Sequence, residues 1–118
     1  MEFQRVKIEI LIPAEHVDAL REALARAGAG EIGAYDHCTT YWNVHGTWRP
    51  QPGAQPFQGT VGQLEHGDEV KVEVIAPVER VKAVLAAIRG VHPYEEPVMH
   101  VLPLINEWFD DPTFEGKG

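Results

Sequence analysis

A single cysteine, Cys38, stands in 118 residues. That excludes an internal disulfide and fits a reducing compartment. Positive charge is also scarce: ten Lys and Arg face eighteen Asp and Glu, a formal net charge of −8. Lys and Arg form no cluster, so a phosphate-backbone partner is not expected, and nucleic acid is set aside. No apolar run approaches membrane-spanning length, so no membrane partner is expected. The polar opening Met1–Arg5 runs straight into a strand pattern and does not read as a signal peptide. The expectation is a soluble, cytoplasmic domain. At 44% hydrophobic residues the chain can build one modest core and is not globally disordered.

Val6, Ile8, Ile10 and Ile12 alternate with Lys7, Glu9 and Leu11, the period of a strand with one buried face. Pro13 closes that strand. Val17, Leu20, Leu24 and Ala27 then recur at helical spacing until Gly28 and Gly30. The unit repeats 64 positions later: across 6–24 against 70–88, eight of nineteen residues are identical, including Pro13/Pro77 and Glu15/Glu79. The second helical run carries Val81, Val84, Leu85 and Ile88 and stops at Gly90. A β-favouring stretch follows each unit, Ala34 to Val44 and Val98 to Leu104. Two β-α-β halves in one small domain predict an α+β, ferredoxin-like split βαβ fold (βαββαβ), with both helices on one face of an antiparallel sheet. In the expected 4-1-3-2 order the two proline-terminated strands are central, and we expect them to be parallel.

Between the halves, residues 45–68 show little regular pattern, with five glycines and three prolines around Trp48 and Phe57. The segment reads either as a long loop, functional or mobile and a contact for a protein partner, or as a flexible hairpin extension with its aromatics folded onto the sheet. Residues 105–118 form an acidic aromatic extension that ought to pack on the domain or on a neighbouring subunit. Its last four residues, Glu115 to Gly118, read as a frayed end.

The densest chemistry lies in Val91-His92-Pro93-Tyr94-Glu95-Glu96-Pro97. Pro93 and Pro97 force the residues before them into extended conformations, which makes a stiff corner that presents its side chains. The bland alternative is a solvated turn whose prolines end the helix. Imidazole plus carboxylate suits zinc, copper or nickel, and His92 and Glu95 rank first as ligands. His37 from a neighbouring chain ranks next and Cys38 last. Adjacent strand positions point to opposite faces, so His37 and Cys38 are not expected to share a site. The strands starting near Tyr35 and Val98 occupy opposite edges, roughly 14 Å apart at about 4.8 Å per strand. With their starting ends at the same end of the sheet, a metal shared by His37 and His92 would imply an oligomer. Tyr94 is expected to anchor the corner through its ring and hydroxyl. His16 is expected on the solvent side of the first helix, and His45, His66 and His100 carry weaker signals. The glycines from Gly28 to Gly33 follow a helix, so they are not a dinucleotide fingerprint.

Taken in order, Gly28-Ala29-Gly30, Ile32-Gly33, Tyr35, His37-Cys38, the Gly/Pro loop, Val61-Gly62-Gln63-Leu64-Glu65 and His92-Pro93-Tyr94-Glu95-Glu96 resemble the YqfO-type module. That module is the PII/CutA-like domain inserted in bacterial Nif-three-like proteins, and it also occurs as a stand-alone chain. The string His92-Pro93-Tyr94-Glu95-x-Pro97 is also similar to one in CutA, a trimeric protein associated with divalent-metal tolerance. The resemblance spans the chain to Leu104. It implies edge-to-edge self-association, with a homotrimer favoured. It does not carry over the dinuclear metal site of Nif-three hosts, which lies in flanking regions. The long loop takes the place of the PII signalling loop, yet no nucleotide-phosphate motif accompanies it.

The functional expectation is a non-enzymatic binding or regulatory domain that self-associates and holds a divalent metal at a subunit interface. The alternatives are a structural interaction module without ligand and a small metal-dependent hydrolase using His92 and Glu95. Glu95 and Glu96 are sequence neighbours, not the opposed pair that acid–base chemistry requires.

Overall fold

The computed structural model describes residues 2–114. Four strands, β1 (Arg5–Ile12), β2 (Thr39–Trp48), β3 (Glu65–Pro77) and β4 (Val98–Leu104), form one sheet in the order β2-β3-β1-β4. Two helices, α1 (Val17–Arg26) and α2 (Val81–Val91), each follow a short 3₁₀ turn. The ferredoxin-like βαββαβ arrangement is therefore present.

The alternation in β1 does the work expected of it. Val6, Ile8, Ile10 and Ile12 are buried against Val70, Val72, Val74 and Ala76 of β3, with Leu20 and Leu24 of α1 and Val84 and Ile88 of α2 above them. Both helices thus cover one face. The opposite face is bare of helices and carries ions at its centre: Lys7 bridges Glu73 at 3.0 Å and Glu9 at 3.4 Å, and Lys71 meets Glu9 at 3.3 Å. Burial raises the Glu9 pKa, but the hydrogen bonds, led by Lys71, outweigh it and hold the carboxyl below its ordinary value. Lys7 is raised, chiefly by its hydrogen bond to Glu73.

Several expectations are corrected here. The two proline-terminated strands are central but antiparallel, Ile8 pairing with Val74 and Ile10 with Val72. The physical reason is interleaving: each β-α-β crossover leaps one strand of the other half, so neighbours come from opposite halves and run in opposite directions. For the same reason β2 and β4 run in opposite directions and do not start at the same level of the sheet. β2 begins level with Val74 and Ile8, whereas β4 begins at Leu11.

The long loop is also shorter than residues 45–68. The hairpin ladder continues through His45–Asp68 and Gly46–Gly67 to Trp48–Glu65, leaving 49–64 outside the strands. Gly67 permits this, because a Cβ there would lie 2.8 Å from the Trp48 ring. The first β-favouring stretch becomes strand only at Thr39. Before it, His37 is left-handed at φ 57° and Gly30 sits at φ 83° with its Cβ position 3.1 Å from the Cys38 backbone, so the chain turns where a strand was expected. Finally, α2 runs past Gly90 to Val91.

The extension packs on the domain itself. A 3₁₀ turn at Asn106–Phe109 stacks Trp108 on Phe3, centroids 5.8 Å apart, and the Glu107 carboxylate accepts the Gln4 N–H at 3.1 Å. Glu115 to Gly118 lie outside the described residues.

Candidate functional site: the corner and the loop it holds

α2 ends at Val91, and His92 turns to an extended backbone at φ −77°, ψ 130°, as its position before Pro93 requires. The imidazole is thereby aimed back at the sheet instead of at solvent, and His92 is 8% exposed. Its Nε2–H donates to the Leu11 carbonyl at 2.5 Å, and its Nδ1 accepts the Tyr94 N–H at 3.2 Å. That pairing fixes the neutral tautomer. Burial holds its pKa below the ordinary 6.5, opposed by the Leu11 hydrogen bond and the Glu69 charge and assisted by His16.

Tyr94 anchors the corner as expected. Its ring lies 4.9 Å from that of His92, and its hydroxyl donates to Glu69 Oε1 at 2.8 Å. Burial and the adjacent Glu69 carboxylate push the phenol well above its usual range. Glu95 uses one oxygen to accept the Gln55 N–H at 3.0 Å, and Phe57 packs its ring 5.9 Å from Tyr94 and 6.0 Å from His16. Corner, loop and first turn thus form one clamped unit. Between loop, hairpin and corner lies a cavity of about 380 Å³, with Trp48, Phe57, Tyr94 and Glu69 among its walls.

The sequence reading missed three of these residues. His16 is not on the solvent side: the turn before α1 is 3₁₀, which changes the helical phase and brings His16 against Phe57, with its Nδ1 buried and without a partner among the described residues. Glu69 was hidden because residues 65–68 read as loop, so its strand face could not be assigned. Phe57 had no signal beyond being an aromatic among glycines and prolines.

The four candidate metal ligands fall into two groups at opposite ends of the sheet. His92 and Glu95 sit at the corner. His37 lies beside α1, its Nδ1 2.9 Å from Asp36 and its Nε2 3.4 Å from Glu22; those hydrogen bonds, Asp36 first, raise its pKa. Cys38 donates its thiol to the Asp36 carbonyl at 3.6 Å. The strand-face argument does not apply to His37 and Cys38, which lie outside β2. Among the described residues, no three His, Cys, Asp or Glu side chains gather as a metal site. Nor is any helix among them long and apolar enough to cross a membrane.

The fold is of the CutA/PII-like kind. The comparisons agree: 39% identity and a TM-score of 0.77 link it to the crystal structure of a Bacillus cereus protein related to NIF3, over 88% of this chain and 26% of that one. CutA1 from a psychrotrophic Shewanella shares the fold at TM-score 0.67 and 16% identity, over 93% of this chain and 92% of that one. A protein named GTP cyclohydrolase 1 type 2 homolog, from Halalkalibacterium halodurans, is 45% identical over 101 residues, 86% of this chain and 27% of the relative. No family model matches the chain. The chain belongs with the YqfO-type PII/CutA-like domains of the NIF3 relatives. It spans about a quarter of the length of the curated relatives it matches.

Proposed function

We propose that this chain is a small binding or regulatory domain that self-associates through its sheet. The observation behind this reading is the helix-free face. Trp42, Val98 and Leu102 share it with the Lys7–Glu9–Lys71–Glu73 network, and they are 42%, 42% and 38% exposed. β2 and β4 each leave one edge unpaired within the chain. Exposed apolar side chains beside open edges invite a partner, and a second copy of the same sheet supplies matching edges and alternating charges. Light scattering after gel filtration at micromolar protein should give an oligomer, with a trimer favoured. The double variant Trp42→Asp/Leu102→Asp should run as a folded monomer. Wild-type protein that is monomeric throughout would overturn the reading.

A second reading adds a divalent ion, zinc, copper or nickel, held between subunits. It is favoured at His37, whose side chain is 42% exposed with the Asp36 and Glu22 carboxylates beside it. His92 suits it less, because both ring nitrogens already have partners inside the chain. Native mass spectrometry with a panel of these metals should show uptake that His37→Ala abolishes and His92→Ala spares. The reverse pattern would return the site to the corner, and no uptake would remove it. Hydrolase chemistry has less support, because the Glu95 carboxylate already holds the Gln55 N–H of the loop.

A further inference from the structure

The cavity under the 49–64 loop has a chemistry that self-association through the sheet does not use. Its volume of about 380 Å³ is in the range of small-molecule sites. Its walls are mainly apolar and aromatic, with Trp48, Phe57 and Tyr94 beside Leu11 and two loop prolines. Its charged lining is lopsided: Glu69, Glu95 and Glu96 face one cation, Arg49. Such a site repels phosphates and carboxylates.

Glu69 carries the argument further. It is 9% exposed, and its oxygen without a protein donor keeps contact with the solvent of the cavity, since among the described residues only His16 Nδ1 is a fully buried polar side-chain atom without a partner. Oε1 takes the Tyr94 hydroxyl, while among the described residues no donor reaches Oε2. Oε2 lies 3.8 Å from the Cβ position of Gly46, which also lines the cavity, so the missing side chain leaves room next to the free oxygen. Aromatic faces beside a buried carboxylate attract a cation that also brings apolar surface.

We propose that this cavity binds a small organic cation with a flat aromatic body, an arylalkylammonium or arylamidinium, its charge beside Glu69 Oε2 and its ring between Trp48 and Tyr94. A bare metal ion would leave the aromatic walls unused. Val98 belongs both to the cavity wall and to the helix-free face, so the proposal requires that part of the face to stay open in the assembly.

The test is a titration of the isotopically labelled full chain, followed by amide and indole NMR shifts. Tryptamine and benzamidine are the probes, and indole-3-propionate is the anionic counterpart. Saturable shifts at the Trp48 indole and the Tyr94 amide are expected with the cations, and binding of the anion about tenfold weaker or worse. Glu69→Gln should weaken the cations about tenfold. Glu96→Gln, at an exposed position with no part in the core, should weaken them by about twofold or more and keeps the test valid if Glu69→Gln does not fold. Anion binding as tight as that of the cations, absence of saturable shifts, or undiminished cation binding in Glu96→Gln would overturn the proposal.

Discussion

Ile10→Ala should destabilise the domain by about 2–5 kcal/mol, the range for removing a fully buried aliphatic side chain and leaving a cavity. Ile10 is 0% exposed at the centre of β1, with Val72 opposite it on β3 and Met99 on β4. Ladders to β3 and β4 hold β1 in register on both sides, so the site has little freedom to collapse into the space. Urea unfolding at fixed protomer concentration should show a lower midpoint with an unchanged slope. A loss well under 1 kcal/mol would mean that β1 is not a central strand.

The second large effect is expected at His92. His92→Ala leaves the Leu11 carbonyl without its donor and the Tyr94 N–H without its acceptor, a loss of about 1–3 kcal/mol at pH 7.5. The pH dependence gives the effect a signature. Burial depresses the His92 pKa in the folded state, so the unfolded chain takes up the proton first on acidification. The stability that neutral His92 supplies is complete above its ordinary 6.5 and is lost as pH falls from there through the depressed value. The groups facing it are Glu69 from β3, His16 from the first turn and Tyr94 from the corner itself, and Glu69 opposes the depression while His16 adds to it. The stability gap between wild type and His92→Ala should therefore narrow below pH 6.5. A gap that widens on acidification would contradict a buried, neutral imidazole.

These two residues mark how much of the molecule could be read from the sequence. Ile10 was legible because burial in a strand follows a two-residue period, and the copy at Val74 repeated the message 64 positions later. The corner was legible as a stiff, chemically dense turn because proline acts on the residue before it. The purpose of the corner was not. Whether an imidazole faces solvent or a backbone carbonyl depends on where β1 ends, and Leu11 is 81 residues away from His92. The relative direction of β1 and β3 likewise needs the interleaving of the two halves, which a local repeat does not encode. Loop and hairpin extension could not be told apart because the glycines look like turn residues, whereas Gly46 and Gly67 pair across the ladder and Gly67 makes room for the Trp48 ring.

The corner clamps the 49–64 loop over the sheet end, and the cavity exists because of this. Proton NOEs among the rings of Phe57, Tyr94 and His16 test it most directly. With centroids at 5.9 Å for Phe57–Tyr94 and 6.0 Å for His16–Phe57, cross-peaks from the Phe57 ring to both partners are predicted, and they should vanish in Phe57→Ala. A Phe57 ring with no cross-peak to either partner would contradict the account.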